Sequence, residues 1–301
     1  PVEIDSEAQY YFSNGEKREF NTYLKTEYDI NENTLAFVDL QYRTIDYTSK
    51  GTSSDLLNIN VKKDYQFFNP KFGLSYTFNN ENSVYGSFSI ANREPNRDDL
   101  IKNPVSPNSE QLQDFEFGYK LKTSNSYFIT NFYYMNYKDQ LVLTGELDDL
   151  GDAIRQNVDK SYRAGIEMQA GYKFSNKIRI DANVTLSENK IKQFEYIVYD
   201  SQYDPITWED TAYTPVTTTF KDTDISFSPS LIVGNTISYA ATKKLSLGLI
   251  SKYVGKQYLD NTSSSFKSMD AYFTNNFSAS LKLYPSWVKE ISLNLLVNNI
   301  F

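Results

Sequence analysis

The side chains best suited to chemistry fall in three stretches of the sequence. Arg93, Glu94, Arg97, Asp98 and Asp99 surround Pro95, a residue that cannot donate to a strand ladder and so marks where a strand ends. Such a cluster could fix a loop or touch another domain. It could equally be a solvated loop whose local ion pairs contribute about 0 to 1 kcal/mol each. Arg155, Gln156, Asn157, Ser161, Tyr162 and Arg163 form a second polar group. The guanidiniums there could pair with an anionic ligand, with a separate domain, or with Glu116 and Glu167 of the same chain. The stretch 190–225 carries Tyr196, Tyr199, Tyr203, Trp208 and Tyr213 beside Asp200, Asp204, Glu209 and Asp210. Its rings could stack on a ligand while its acids accept hydrogen bonds or bind Ca²⁺ through oxygen, or the stretch could pack on itself. EF-hand spacing is absent.

Composition removes most other chemistry. The 301 residues contain no cysteine and no histidine, which excludes thiolate metal sites, disulfides, thiol nucleophiles and every histidine-based triad. Paired carboxylates are the acid–base route left, so an enzyme is not expected, nor a cofactor or metal site. A net charge of -8 makes nucleic acid a poor partner. Aromatic residues make up 16% of the chain, too many for a disordered segment. No apolar run is long enough for a transmembrane helix, but a transmembrane strand needs only about 9 to 11 residues of alternating polarity.

That alternation supplies the elements that must position the three stretches. Phe20, Thr22, Leu24, Thr26, Tyr28 and Ile30 share one face, against Asn21, Tyr23, Lys25, Glu27 and Asp29. Ile178, Ile180, Ala182, Val184 and Leu186 likewise oppose Arg179, Asp181, Asn183, Thr185 and Ser187. The pattern predicts an all-β, antiparallel chain of roughly 12 strands, near 19–30, 33–46, 70–79, 82–92, 112–122, 125–138, 160–174, 177–189, 226–240, 243–254, 270–283 and 288–300. Short turns alternate with long connections at 47–69, 93–111, 139–159, 190–225 and 255–269, the arrangement of an outer-membrane barrel. A soluble sandwich would show the same alternation, but its usual strands of about 5 to 6 residues are shorter than these. The face bearing Glu116, Lys120, Glu167, Lys173, Arg179 and Asp181 is too charged for a packed core. It is expected to border water or a polar plug. Tyr28, Tyr42, Tyr47, Tyr76, Phe78, Tyr137 and Tyr239 lie near segment ends, where rings suit a membrane interface.

Several segments in order resemble the TonB-dependent outer-membrane receptors of Bacteroidetes-type bacteria. They are NPKFG at 69–73, VYGSFSIANREPNRDDL at 84–100, SEQL at 109–112, FEFGY at 115–119, the run 133–168, YVGKQYLDN at 253–261 and LLVNNIF at 295–301. The resemblance implies a 22-stranded transmembrane β-barrel that imports a scarce nutrient in the outer membrane of a Gram-negative bacterium. Its partners would be an N-terminal plug domain, the TonB energy-transducing complex, outer-membrane lipid and a ferric chelate or other small nutrient. On that pattern residues 1–301 are a partial barrel, the tenth to the twenty-first strands, with the signal sequence, the plug with its TonB-binding segment and the final strand lying outside it. Arg93, Glu94, Arg97, Arg155, Arg163, Glu116 and Glu167 would then face the lumen or the plug, and Tyr196, Tyr199, Tyr203, Trp208 and Tyr213 the ligand. An adhesion barrel that binds without transporting is the alternative.

Overall fold

Period-2 alternation becomes strand over most of the chain in the computed structural model, which describes residues 11–54, 56–103, 106–147, 153–203, 206–207 and 210–301. In chain order the elements are β1 (Phe12–Asn31), β2 (Thr34–Thr52), β3 (Asn58–Asn79), β4 (Asn82–Arg93), α1 (Arg97–Lys102), β5 (Glu110–Lys122), β6 (Ser126–Leu147) and β7 (Ala153–Lys173). There follow β8 (Ile178–Tyr203), β9 (Asp210–Asp224), β10 (Leu231–Ala240), β11 (Leu245–Val254), β12 (Gln257–Tyr258), β13 (Ser268–Met269), β14 (Tyr272–Leu283) and β15 (Ile291–Val297). Neighbours in sequence pair antiparallel along a path of twelve strands, β1 to β8, β10, β11, β14 and β15, with β9 off this path and paired with β8. This is the wall of a partial barrel.

The twelve strands on the path agree with the sequence reading, but three of the expected loops do not. The stretches 47–69, 139–159 and 190–225 are largely strand, because β2 and β3, β6 and β7, and β8 and β9 run on as long hairpins. Alternation reports a strand only where one face meets something apolar. Beyond that level both faces are polar, so pairing continues without the signal. At the opposite ends the short turns are fixed by local side chains. Asn31 and Asn79 accept hydrogen bonds from backbone N–H groups two or three residues on, and so do Thr123, Ser175 and Thr242. These are the side chains that mimic a backbone turn.

Register makes the outward face continuous. Tyr28, Ala36, Leu74, Gly86, Phe117, Phe132, Ile166, Leu186 and Leu231 are successive directly paired residues across nine strands. Ring pairs add to it, with Phe88 and Phe115 at 4.6 Å between centroids. On β7 the outward residues run from Tyr172 through Ala170, Met168, Ile166 and Ala164 to Tyr162. At about 3.3 Å per residue and a tilt near 40°, that interval is about 25 Å tall, the height of a bilayer-facing band. Of the rings expected at the interface, Tyr47 and Tyr137 instead lie on the inner face, by their pairing with Lys63 and with Ser161.

The inner wall is built by rings laid across glycines. Phe37, Tyr85, Tyr127 and Tyr133 are each directly paired with a glycine on the next strand, Gly73, Gly118, Gly171 and Gly165 respectively. A Cβ on any of these glycines would overlap the ring. The flattened rings then reach polar partners, Tyr85 donating to Asn131 and Tyr127 to Asp181, both at 2.9 Å.

The β7–β8 ladder ends at Ser161 and Ile191, after which the β6–β7 and β8–β9 hairpins separate. Val142, Val158, Ile191, Phe194 and Ile225 pack between them, with Ile191 and Phe194 fully buried. Gln156 donates to the Glu195 carbonyl across the division at 2.9 Å.

Candidate functional site

The connection from β4 to β5 shapes one end of the barrel wall. Asn96 caps α1 by accepting from the Asp99 N–H at 2.7 Å, and the Asp99 carboxylate accepts the Asn96 N–H at 2.9 Å. This reciprocal box is encoded by the two residues three apart. Asp98 and Asp99 in the first turn and Lys102 in the last suit the helix dipole. The helix touches both β3 and β7, strands with three others between them. It therefore bridges separated parts of the wall as a strap.

Charge pairs hold each end of the strap. Glu94 accepts two hydrogen bonds from the Arg43 guanidinium, at 3.0 and 2.9 Å, and one from Lys17 at 3.0 Å. Arg43 also pairs with Glu19 at 2.6 Å. Burial opposes charging Glu94, but hydrogen bonds from backbone, Lys17 and Arg43 win and hold its carboxyl below the ordinary range. At the other end Asp99, only 5% exposed, is bound by Arg155 at 2.9 Å. Arg93 pairs with Glu110 at 2.9 Å, and Arg97 donates to Ser13 at 3.1 Å. Asn157 reinforces the connection by accepting from the Asn108 N–H at 2.7 Å.

Beneath the strap lies a cavity of about 470 Å³ lined by Arg43, Ile45, Tyr47, Tyr65, Pro95 and Leu100 among others. Ile45 is 1% exposed although it sits on the inner wall. The Tyr47 and Tyr65 hydroxyls are buried there without hydrogen-bond partners among the described residues.

The residues singled out from the sequence thus separate into groups. Arg93, Glu94, Arg97 and Arg155 come together around the strap. Arg163 lies apart, donating to Asn189 at 3.3 Å and Ser228 at 2.9 Å. Glu116 and Glu167 lie on the inner wall, opposite Ser87 and Tyr133, and Asn131 and Thr185. Among the described residues neither pairs with the arginines; Arg155 takes Asp99 instead. Sequence reasoning missed Lys17, Glu19 and Arg43; the inward positions of Glu19 and Arg43 were readable from alternation, Lys17 precedes the expected strand, and the partners of all three were not readable.

The aromatic stretch is a hairpin, not a loop. Tyr196 packs against the Phe194 cluster, and the Lys267 ammonium lies 4.9 Å from its ring centre. Lys267 also pairs with Asp260 at 2.9 Å. Burial acts to raise the Asp260 carboxyl, but hydrogen bonds from Thr262 and Lys267 hold it below the usual range; Asp260 in turn pushes Lys267 up. Tyr199, Tyr203 and Tyr213 occupy β8 and β9, paired with Pro215, Asp210 and Ser201. Trp208 lies outside the described residues.

A strand wall with an apolar outer band, a charged inner face and a connection strapped across the inner side defines an outer-membrane type of barrel. Residues 2–300 match the family described as TonB dependent receptor-like, beta-barrel, and the chain belongs to that family. It is similar in structure to the siderophore receptor PiuA from Acinetobacter baumannii, with TM-score 0.71 and 16% identity over 96% of this chain and 39% of that one. The ferric yersiniabactin uptake receptor FyuA from Yersinia pestis gives TM-score 0.66 and 15% identity over 97% and 42%. The copper transporter OprC gives 0.69 and 12% over 95% and 41%. The chain thus spans about two fifths of the length of these solved receptors. A search of curated protein sequences gives no match.

Proposed function

We propose that this chain is part of the barrel of an outer-membrane active-transport receptor, energised through TonB, that takes up a ferric siderophore or a similar nutrient. The observation that carries the reading is the inner face. It presents Lys71, Glu116, Lys120, Glu167 and Asp181 along the wall, with a charge-clasped strap at one end. Such a surface suits contact with a polar plug supplied by the rest of the receptor, together with its remaining strands. A free pore has no need of a strap bound at both ends. Glu116, Glu167 and Arg163 would face the plug, while Tyr196, Tyr199, Tyr203, Trp208 and Tyr213 would meet ligand at the end where the hairpins extend. That end would face outside and the short turns the periplasm.

Iron is favoured because two of the similar structures are a siderophore receptor and a ferric yersiniabactin uptake receptor. The copper transporter among them means that the fold alone does not fix the cargo. Haem is less favoured, because the 301 residues offer no histidine to ligate it. Growth of a deletion strain under iron limitation, with binding assays for ferric chelates, haem and cobalamin, tests the reading. A growth defect with ferric-chelate binding is expected; neither a defect nor chelate binding would reject it. Binding without uptake would mark the adhesion alternative.

A further inference from the structure

The outward face of β5, β6 and β7 changes chemistry in layers. Phe115, Tyr134 and Ala164 form one directly paired row, then Gln113, Asn136 and Tyr162, then Gln111, Lys138 and Lys160. Tyr134 and Tyr162 stack at 6.0 Å and close the apolar band. Immediately past them a groove of about 480 Å³ is lined by Gln111, Gln113, Asn136, Lys138 and Lys160, together with Tyr137, Asp139 and Asp159.

Lys138 and Lys160 are exposed and directly opposite each other, a pairing of like charges that costs stability. Among the described residues neither has an ion-pair partner. The lysines on the next strand differ, since Lys190 pairs with Asp224 at 2.7 Å and Lys192 with Asp222 at 2.9 Å. Asp139 and Asp159 also line the groove, but both follow the chain one residue farther from the apolar band, beyond the 4.0 Å reach of an ion pair with either lysine. The row of Lys138 and Lys160, nearest the apolar band, therefore carries two cations, with the two carboxylates in the next row out.

Its depth identifies what it meets. Lys160 stands two residues past Tyr162, about 5 Å along the membrane normal at about 3.3 Å per residue and a tilt near 40°. A headgroup layer is about 5 to 7 Å thick on each side of the hydrocarbon. Basic side chains at that level bind anionic lipid headgroups, and Gln113 and Asn136 beside them offer amide donors to phosphate oxygens.

We propose that this groove binds the phosphate-bearing headgroup of a lipid in the adjoining leaflet. The inference rests on the membrane reading of the chain and not on what the receptor carries, so transport and lipid binding can fail separately. The test uses the full-length receptor purified in detergent and titrated by native mass spectrometry. The probes are bisphosphorylated lipid A, a dephosphorylated lipid with the same acyl chains, and inorganic phosphate. The double variant Lys138→Gln with Lys160→Gln should lose about 30-fold in affinity for the phosphorylated lipid. Replacing both with Arg should preserve binding, and Lys192→Gln should change it less than about 3-fold because that lysine is already paired. Thermal unfolding should be unaltered in the Arg pair and in Lys192→Gln, and raised slightly in the Gln pair, where the like-charge cost is removed. Unchanged affinity in the Gln double variant would overturn the proposal. Equal binding of the dephosphorylated lipid would do the same, and so would inorganic phosphate binding as tightly as the lipid.

Discussion

Replacing Val184 and its neighbour Asn183 separately with Arg probes the two faces of the wall at one depth. Val184 is directly opposite Met168 on β7 and Val233 on β10, whereas Asn183 is opposite Gln169 and Gly234. On β7 the outward band from Tyr162 to Tyr172 is centred beside Met168, so Val184 lies near the bilayer midplane. An Arg there should cost about 2 to 4 kcal/mol, a factor of about 30 to 700 in the folding constant. At Asn183 the side chain faces the polar inner wall, beside Gln169 on β7. The loss there should stay below about 1 kcal/mol. The assay is a denaturant titration of the full receptor folding into lipid vesicles, read by tryptophan fluorescence and gel mobility. Equal losses for Val184→Arg and Asn183→Arg would refute the assignment of faces, and with it the membrane reading.

Further outcomes follow from the inner wall and the strap. Gly118→Val should displace the Tyr85 ring and its bond to Asn131, costing about 1 to 3 kcal/mol in the same titration. Tyr85→Ala in the same chain should recover part of that loss. Arg155→Gln should leave Asp99 buried without its charged partner, costing about 1 to 3 kcal/mol and making Ile45→Cys more reactive to a thiol reagent beneath the strap. Because the folded Glu94 carboxyl is depressed, its contribution is complete above the ordinary glutamate range and is lost as pH falls through the lower folded value. Reactivity of Ile45→Cys toward an acid-tolerant thiol reagent should therefore rise only on strong acidification. The Asp260–Lys267 pair should contribute across neutral pH. It should weaken in acid as Asp260 protonates below its usual range, and in alkali as Lys267 loses its proton above its own. Hydrogen exchange at the β12–β13 hairpin as a function of pH checks this.

Much of the wall was legible in the sequence for a physical reason. Where a strand has lipid on one side and polar contents on the other, every second residue reports its face, as on β8 from Ile178 to Leu186. The signal stops at Glu188 and Lys190, which share the outward face with Leu186, so the rest of β8 read as loop. The short turns were legible because Asn79, Thr123 and Ser175 act within two or three residues of themselves. The strap was half legible. Its cap is local, three residues from Asn96 to Asp99, but its clasps join Lys17 to Glu94 and Asp99 to Arg155, separations of 77 and 56 residues. Glu94, Asp99 and Arg155 fall in stretches read as connections and Lys17 precedes the first expected strand, so alternation neither places these charges nor says which of them meet. Tyr196 shows the converse limit, since its type suggested ligand stacking while Lys267, 71 residues away, already occupies its ring.

The most direct test of the central claim is uptake of a radiolabelled ferric chelate by cells that express the full-length receptor, with and without a functional TonB. The account predicts accumulation that needs both the receptor and TonB and that is lost, while surface binding remains, when TonB is removed. Equal cell-associated iron with and without TonB would contradict it, because the barrel would then be binding its ligand without importing it.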